Sequence, residues 1–261
     1  MRRRVLHGPR AALLLLAACA HQTCQAAQPA APCDKPVYLT VDPAQMEFAP
    51  RLADMLRRQQ VAVTFWVSNL LTQNGEGSLG NQWGTWWKQV AQQGHDFASQ
   101  TYDFAVWRGD LPGYKPRFRV RPASGAFAGR EFTYEPAKYC EQIEHATRRI
   151  EDFTGKRSLP LFHPPSGAAS TKLLAAASAC GYAPVTLPKA AVLGTRSLQA
   201  ELAAIRAGDT LLLDLHAPAG SQPWALENAE PLLAGLKERG LCFASLRQHP
   251  GYQAWISGHG G

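Results

Sequence analysis

The sequence predicts an α/β domain built on a parallel sheet. Three observations predict it. Short apolar runs rich in Val, Leu and Phe alternate with helix-length amphipathic stretches from residue 36 onward. Glycines 94, 181, 208 and 240 each stand just before one of those runs, where a left-handed helix cap leads into a strand. The helical stretches between strands are long enough for crossover connections, which parallel neighbours require. About seven such units imply a barrel or a doubly wound sheet.

The strand-like runs are 37–42, 61–67, 96–100, 159–163, 182–187, 210–216 and 241–246. Between them, Phe48, Leu52, Met55 and Leu56 share one helical face, as do Tyr139, Ile143, Ile150 and Phe153. The rhythm breaks at 105–135, rich in Pro, Gly and Arg. There 117–121 and 130–134 alternate and read as a hairpin inserted after the third strand. Arg117, Arg119 and Arg121 would share one face. That face reads as solvated, the alternative being a contact for an anionic glycan or a membrane headgroup.

At 261 residues and 46% hydrophobic, the chain can bury a substantial core. The longest apolar run, 11–20, is too short to span a bilayer. The net charge of +7 owes four units to Arg2, Arg3, Arg4 and Arg10, with no acid in residues 1–18. The remainder is too weakly basic to indicate a nucleic-acid partner.

Residues 1–18 read as an export signal, with a basic start and then an apolar stretch. Leu16-Ala17-Ala18-Cys19 resembles a bacterial lipobox, which makes Cys19 the expected lipidation site and membrane anchor. Ala20 rather than Asp follows, so a periplasmic location on the outer membrane is expected. The alternative is an ordinary secretory peptide cleaved near Ala26 or Ala27. Residues 19–34 read as a flexible tether, 35–250 as the domain and 251–261 as a tail. Export permits disulfides among Cys33, Cys140, Cys180 and Cys242. Cys33 and Cys242 adjoin the first and last strands and become neighbours if the sheet closes. No C-x-x-C pair suggests zinc.

In parallel α/β sheets, chemistry gathers at the C-terminal strand ends. Those ends carry Asp42, Gln100, His163, Asp214 and His216.

Several stretches resemble the polysaccharide deacetylase (NodB-homology) family of carbohydrate esterases. They include Val37-Tyr38-Leu39-Thr40-Val41-Asp42, Gly94-His95-Asp96-Phe97-Ala98-Ser99-Gln100-Thr101-Tyr102, Leu161-Phe162-His163-Pro164-Pro165-Ser166-Gly167 and Leu213-Asp214-Leu215-His216. The resemblance runs in family order over about 35–247. It implies a distorted (β/α)7 barrel of the glycoside hydrolase/deacetylase type. In that family one Asp and two His hold a divalent metal, usually zinc, which activates water and polarises the acetamide. An Asp serves as base, a His as acid, and an Arg orients the base.

Carried over by position, Asp42 matches the base and His216 the acid, although an ungapped register puts Asp214 there. The orienting Arg falls on His163. The three metal ligands fall on Pro43, Gln100 and Phe104, which together offer one neutral amide oxygen. The resemblance therefore implies that the zinc site is lost and that no cofactor is bound. His95 and Asp103 lie nearby; His95 reads as structural and Asp103 as a lone carboxylate. Catalytic candidates are Asp42, His216, His163 and Asp214. Substrate-binding candidates are Gln100, Thr101, Ser166 and Trp107, with Trp83, Trp86 and Trp87 as rings that either stack on sugars or fill the core.

Three functions follow from this set. One is a pseudoenzyme that binds an envelope or extracellular carbohydrate polymer. Another is a hydrolase with a metal-independent acid–base pair, Asp42 with His216 or His163, that cleaves acetyl groups from nitrogen or oxygen. The last is a metal-dependent deacetylase with displaced ligands.

Overall fold

A computed structural model describes residues 33–216 and 224–261. In chain order the elements are β1 (Pro36–Asp42), α1 (Ala49–Arg58), β2 (Thr64–Val67), α2 (Gly84–Gln92), β3 (Asp96–Ser99), β4 (Ala105–Asp110), β5 (Phe118–Pro122), β6 (Phe132–Tyr134) and α3 (Pro136–Thr154). They continue with β7 (Leu161–Phe162), α4 (Thr171–Ala179), β8 (Ala183–Pro184), α5 (Leu198–Ala204), β9 (Thr210–Asp214), α6 (Trp224–Glu238), β10 (Cys242–Ala244) and α7 (Pro250–Gly258).

Seven strands form one parallel sheet in the order β10-β1-β2-β3-β7-β8, with β9 also paired to β1. The sheet curls into a half-barrel. Its remaining side is spanned by a parallel bridge between Val192 and Leu212. This is the (β/α)7-type fold that the family resemblance implies.

Alternation along each strand sorts the core. Val37, Leu39, Val41, Phe65, Phe97, Leu211 and Leu213 point outward and pack with Leu52, Leu56, Trp87 and Leu236 of the helices. Tyr38, Trp66, Ala98, Leu161, Val185 and Leu212 point into the curl. Fully burying each large apolar side chain contributes about 1.5–3 kcal/mol. Asp42, Gln100, His163 and Asp214 share the inward parity of Tyr38, Ala98, Leu161 and Leu212. The same alternation that builds the interior therefore stacks four polar groups at its upper rim.

Helix boundaries follow local chemistry. Proline opens α1 and α3, and Arg57 and Arg58 close α1 where the helix dipole favours cations. Gly155 ends α3 at φ 64°, a left-handed cap where a Cβ would be strained.

The structure departs from the sequence expectations in three places. The 105–135 segment is a three-stranded antiparallel sheet, β4-β5-β6, rather than a hairpin. Its extra strand, β4, is concealed in the sequence by a register shift between Trp107 and Gly109 that breaks the alternation. Residues past 250 form α7, not a tail: Ile256 is buried, and the Trp255 indole donates to the Gly181 carbonyl at 3.2 Å. β7 and β8 shrink to two residues each, so His163 lies just beyond its strand.

Two disulfides are formed, Cys33–Cys242 and Cys140–Cys180. The first joins the segment before β1 to β10, the pairing expected if the sheet curls. Among the described residues no helix is long and apolar enough to cross a membrane. Cys19, with the rest of the signal and most of the tether, lies outside the described residues.

Candidate functional site

The rim of the half-barrel encloses a cavity of about 580 Å³. Asp42, Gln100, His163, Asp214 and His216 line it, as does Ser166. Phe104, Leu187 and Val192 supply apolar wall, and exposed Lys189 stands at the edge. Parallel pairing sets the geometry directly, since Asp42 and Asp214 are register partners on β1 and β9.

His216 sits two residues beyond Asp214 and folds back on it. Its Nδ1 is 2.7 Å from Asp214 Oδ1 and 3.6 Å from Asp42 Oδ2. The His216 backbone N–H donates to the same Asp214 oxygen at 2.9 Å. Two carboxylates facing one ring nitrogen place a proton on Nδ1. Burial alone would lower the His216 pKa, but Asp42 and Asp214 outweigh it and raise it to about 9. Burial raises Asp42 to about 6, against the attraction of His216 and the N–H of Ala44, which donates to Oδ1 at 2.9 Å. Burial also works against ionised Asp214, yet its bonds to His216 hold its pKa below the usual range. At neutral pH the trio is an imidazolium between two carboxylates.

His163 is buried and its pKa is depressed by that burial. Its Nδ1 bonds the Val185 carbonyl at 2.7 Å, and its ring stacks on Trp66 at 5.2 Å. It is thus a neutral ring fixed from behind. Gln100, 2% exposed, hydrogen-bonds the Asp42 carboxylate through its amide, while its Oε1 is buried without a partner. An acceptor left open at a cavity wall is costly unless a ligand or water donates to it.

The backbone around the cavity is strained. Among the described residues six non-glycine residues take left-handed φ, and five of them, Ala44, Met46, Thr101, Phe104 and Ser166, lie in the loops after β1, β3 and β7. Each costs about 1–3 kcal/mol, and such strain concentrates at ligand sites.

Not every sequence candidate reaches the cavity. Thr101 is fully buried, and its Oγ1 accepts the Ala105 N–H at 2.7 Å, a structural role. Trp107 lies on β4, its indole donating to Asp110 at 3.1 Å, away from the cavity lining. Trp86 and Trp87 are core, packed edge-on against Phe65, and Trp83 packs against the same cluster. Asp103 is clamped by Gln142 at 3.0 Å. His95 is buried before β3, at the opposite end of the strand from Gln100, and accepts the Val63 N–H. Two residues outside the sequence candidates matter: Lys189, at the cavity edge, and Trp66, whose even position on β2 is the available signal.

The positions that match the family's metal ligands do not supply its Asp-and-two-His donor set. Pro43 has no ligand atom, Phe104 presents a ring 5.4 Å from that of His216, and Gln100 offers one oxygen. Asp42, Asp214 and His216 do bring three ligand atoms within 4.8 Å of one another. A cation there would have to displace the proton that His216 Nδ1 shares with Asp214.

The polysaccharide deacetylase family profile matches residues 30–185, more than half of the chain, and the chain belongs to that family of NodB-homology deacetylases. Solved structures share its fold. A CE4 family pseudoenzyme from Bacillus anthracis superposes with a TM-score of 0.56 at 17% identity, over 82% of this chain and 65% of that one. The chain thus spans just under two thirds of that protein. A family 4 carbohydrate esterase from Streptomyces lividans gives 0.56 at 16% identity, covering 82% and 94%. Another family 4 esterase from B. anthracis gives 0.53 at 21%, covering 82% of each chain. A search of curated protein sequences finds no significant match.

Proposed function

We propose that this is an exported, lipid-anchored member of the polysaccharide deacetylase family that binds an envelope or extracellular carbohydrate polymer and has lost the family's metal-dependent hydrolysis. The observation that carries the reading is the replacement of the three metal ligands by Pro43, Gln100 and Phe104, in a cavity otherwise retained. The strained loops and the open Gln100 acceptor support a ligand-binding role for that cavity. Among proteins of this fold, the B. anthracis pseudoenzyme is an instance of the scaffold without activity.

Export and anchoring through Cys19 rest on the N-terminal sequence. Ala20 rather than Asp after Cys19 supports a periplasmic, outer-membrane location.

A second reading has its own observation. The Asp214–His216–Asp42 arrangement holds an imidazolium opposite a carboxylate whose pKa is near 6, an acid and a base with separated protonation states. On that reading Asp42 takes a proton from water and His216 donates one to the leaving group, with no metal. The Ser166 backbone N–H, in the loop after β7, would face the oxyanion.

One experiment separates these readings. The purified protein is incubated with acetylated oligosaccharides, and binding, acetate release and metal content are measured together. Saturable binding without acetate supports the first reading. Chelator-resistant release that Asp42→Asn abolishes supports the second. Release that chelation abolishes overturns both.

A further inference from the structure

The cationic charge of the exported chain is concentrated in one small sheet. Residues 105–134 carry six basic side chains and two acids, while the rest of 19–261 carries seventeen basic and eighteen acidic. The whole positive balance therefore lies on β4-β5-β6 and its turns.

The sheet presents these charges in order. Its inner face is Phe118, Val120 and Tyr134, packed on Tyr139, Ile143 and Phe162. The opposite face of β5 exposes Arg119 and Arg121, and Arg117 continues the line. Alternate residues of a strand place successive guanidinium groups about 7 Å apart. The cross-strand neighbours of Arg119 are Gly109 and Thr133, which leave its head uncovered. Arg108, Lys115, Arg119 and Arg121 form no ion pair among the described residues, although nine pairs occur elsewhere. Tyr114, wholly exposed at the β4-β5 turn, adds a ring of the kind that stacks on a pyranose face. β4 itself begins one residue after Phe104 of the cavity wall, and its Asp110 bonds Ser170, just past the Ser166 side of the cavity.

We propose that the outer face of this sheet binds an acidic polysaccharide, one bearing carboxylates at regular intervals. The guanidinium groups of Arg119 and Arg121, free of ion pairs, with that of Arg117 bound to the Pro112 carbonyl at 3.1 Å beside them, form a row that matches an extended polyanion, and guanidinium recognises carboxylate bidentately. The inference deepens the carbohydrate reading above by specifying the charge of the polymer, and it rests on that reading for the choice of a glycan.

The test uses the full exported domain and polygalacturonate as probe, with neutral xylan and phosphatidylglycerol vesicles as comparators. Polygalacturonate is expected to bind, and affinity to fall about tenfold between about 0.05 and 0.5 M salt. The exposed double variant Arg119→Glu/Arg121→Glu should weaken binding about tenfold or more, with an unchanged thermal transition. Arg119→Gln/Arg121→Gln, without charge reversal, should show an intermediate loss. Equal binding by wild type and both variants overturns the proposal, as does binding to the vesicles without binding to the polymer. His216→Ala addresses the cavity separately: it is expected to change affinity for neutral oligosaccharide and leave polygalacturonate binding intact. Polymer binding lost with His216→Ala but kept by the arginine variants moves the polymer to the cavity and overturns the surface.

Discussion

His216 Nδ1 lies 2.7 Å from Asp214 Oδ1, and both residues belong to one short stretch at the end of β9. The carboxylate that orients this imidazole comes from its own strand, two residues upstream. The two registers that place either Asp214 or His216 at the acid position thus describe one unit, with Asp214 positioning His216.

This unit predicts a pH dependence. The His216 pKa is raised from 6.5 to about 9, so its ionic contribution to stability is complete below about 6.5 and is lost as pH rises through about 9. Asp42 has the opposite sense for an acid: its pKa is raised from 3.8 to about 6, so stability falls as pH rises from about 4 to 6. NMR titration of the His216 ring should give a midpoint well above 6.5. Asp214→Asn and Asp42→Asn should each lower it. An unchanged midpoint in both variants would remove the carboxylates as its cause.

Metal content is a second check. The wild-type protein, refolded with excess zinc and desalted, should retain less than about 0.1 zinc per chain. The triple variant Pro43→Asp/Gln100→His/Phe104→His should retain about one. A stoichiometric wild-type ion lost in Asp214→Asn would instead place a cation on the Asp42–Asp214–His216 group.

Arg196 and Glu201 provide a stability test beside the cavity. Glu201 is fully buried, Arg196 bonds it at 2.5 and 3.1 Å, and Arg196 also donates to the Ala190 carbonyl at 3.0 Å, which pins the loop that runs from Lys189 through Val192. Arg196→Met strands a buried carboxylate and should cost about 3 kcal/mol in urea denaturation. Glu201→Gln leaves only a partly exposed guanidinium and should cost less.

The disulfides should differ in effect. Cys33–Cys242 spans 209 residues and Cys140–Cys180 spans 40. Chain-entropy reasoning assigns about 5.4 kcal/mol to the first and about 3.9 to the second. Paired Cys→Ser substitutions, followed by equilibrium unfolding under matched conditions, test the ordering. A larger loss from the short loop would point to strain or residual structure in the unfolded chain.

Much of the architecture is legible in the amino-acid order. Strand positions follow from apolar runs, and the strand-end residues of the site from their place at the end of each run. What escapes has specific causes. β4 is hidden because a bulge at Gly109 destroys period-two alternation. α7 resembles a tail because it is nine residues long and opens on Pro-Gly, too short for a helical period to show. Thr101 and Trp107 are close in sequence to Gln100, yet backbone turns at Thr101 and Phe104 point them away from the cavity.

Side-chain chemistry and local periodicity suffice to specify the fold, the groups at the strand ends and the lack of ligand atoms at Pro43 and Phe104. Each of these is a property of one residue or of a short window of chain. Two further features arise only once the sheet has curled: Asp214 orients His216 across from Asp42, and Gln100 leaves an acceptor open. Those are relations between residues up to 174 positions apart, and a linear pattern holds no record of which strand the curled sheet sets beside which.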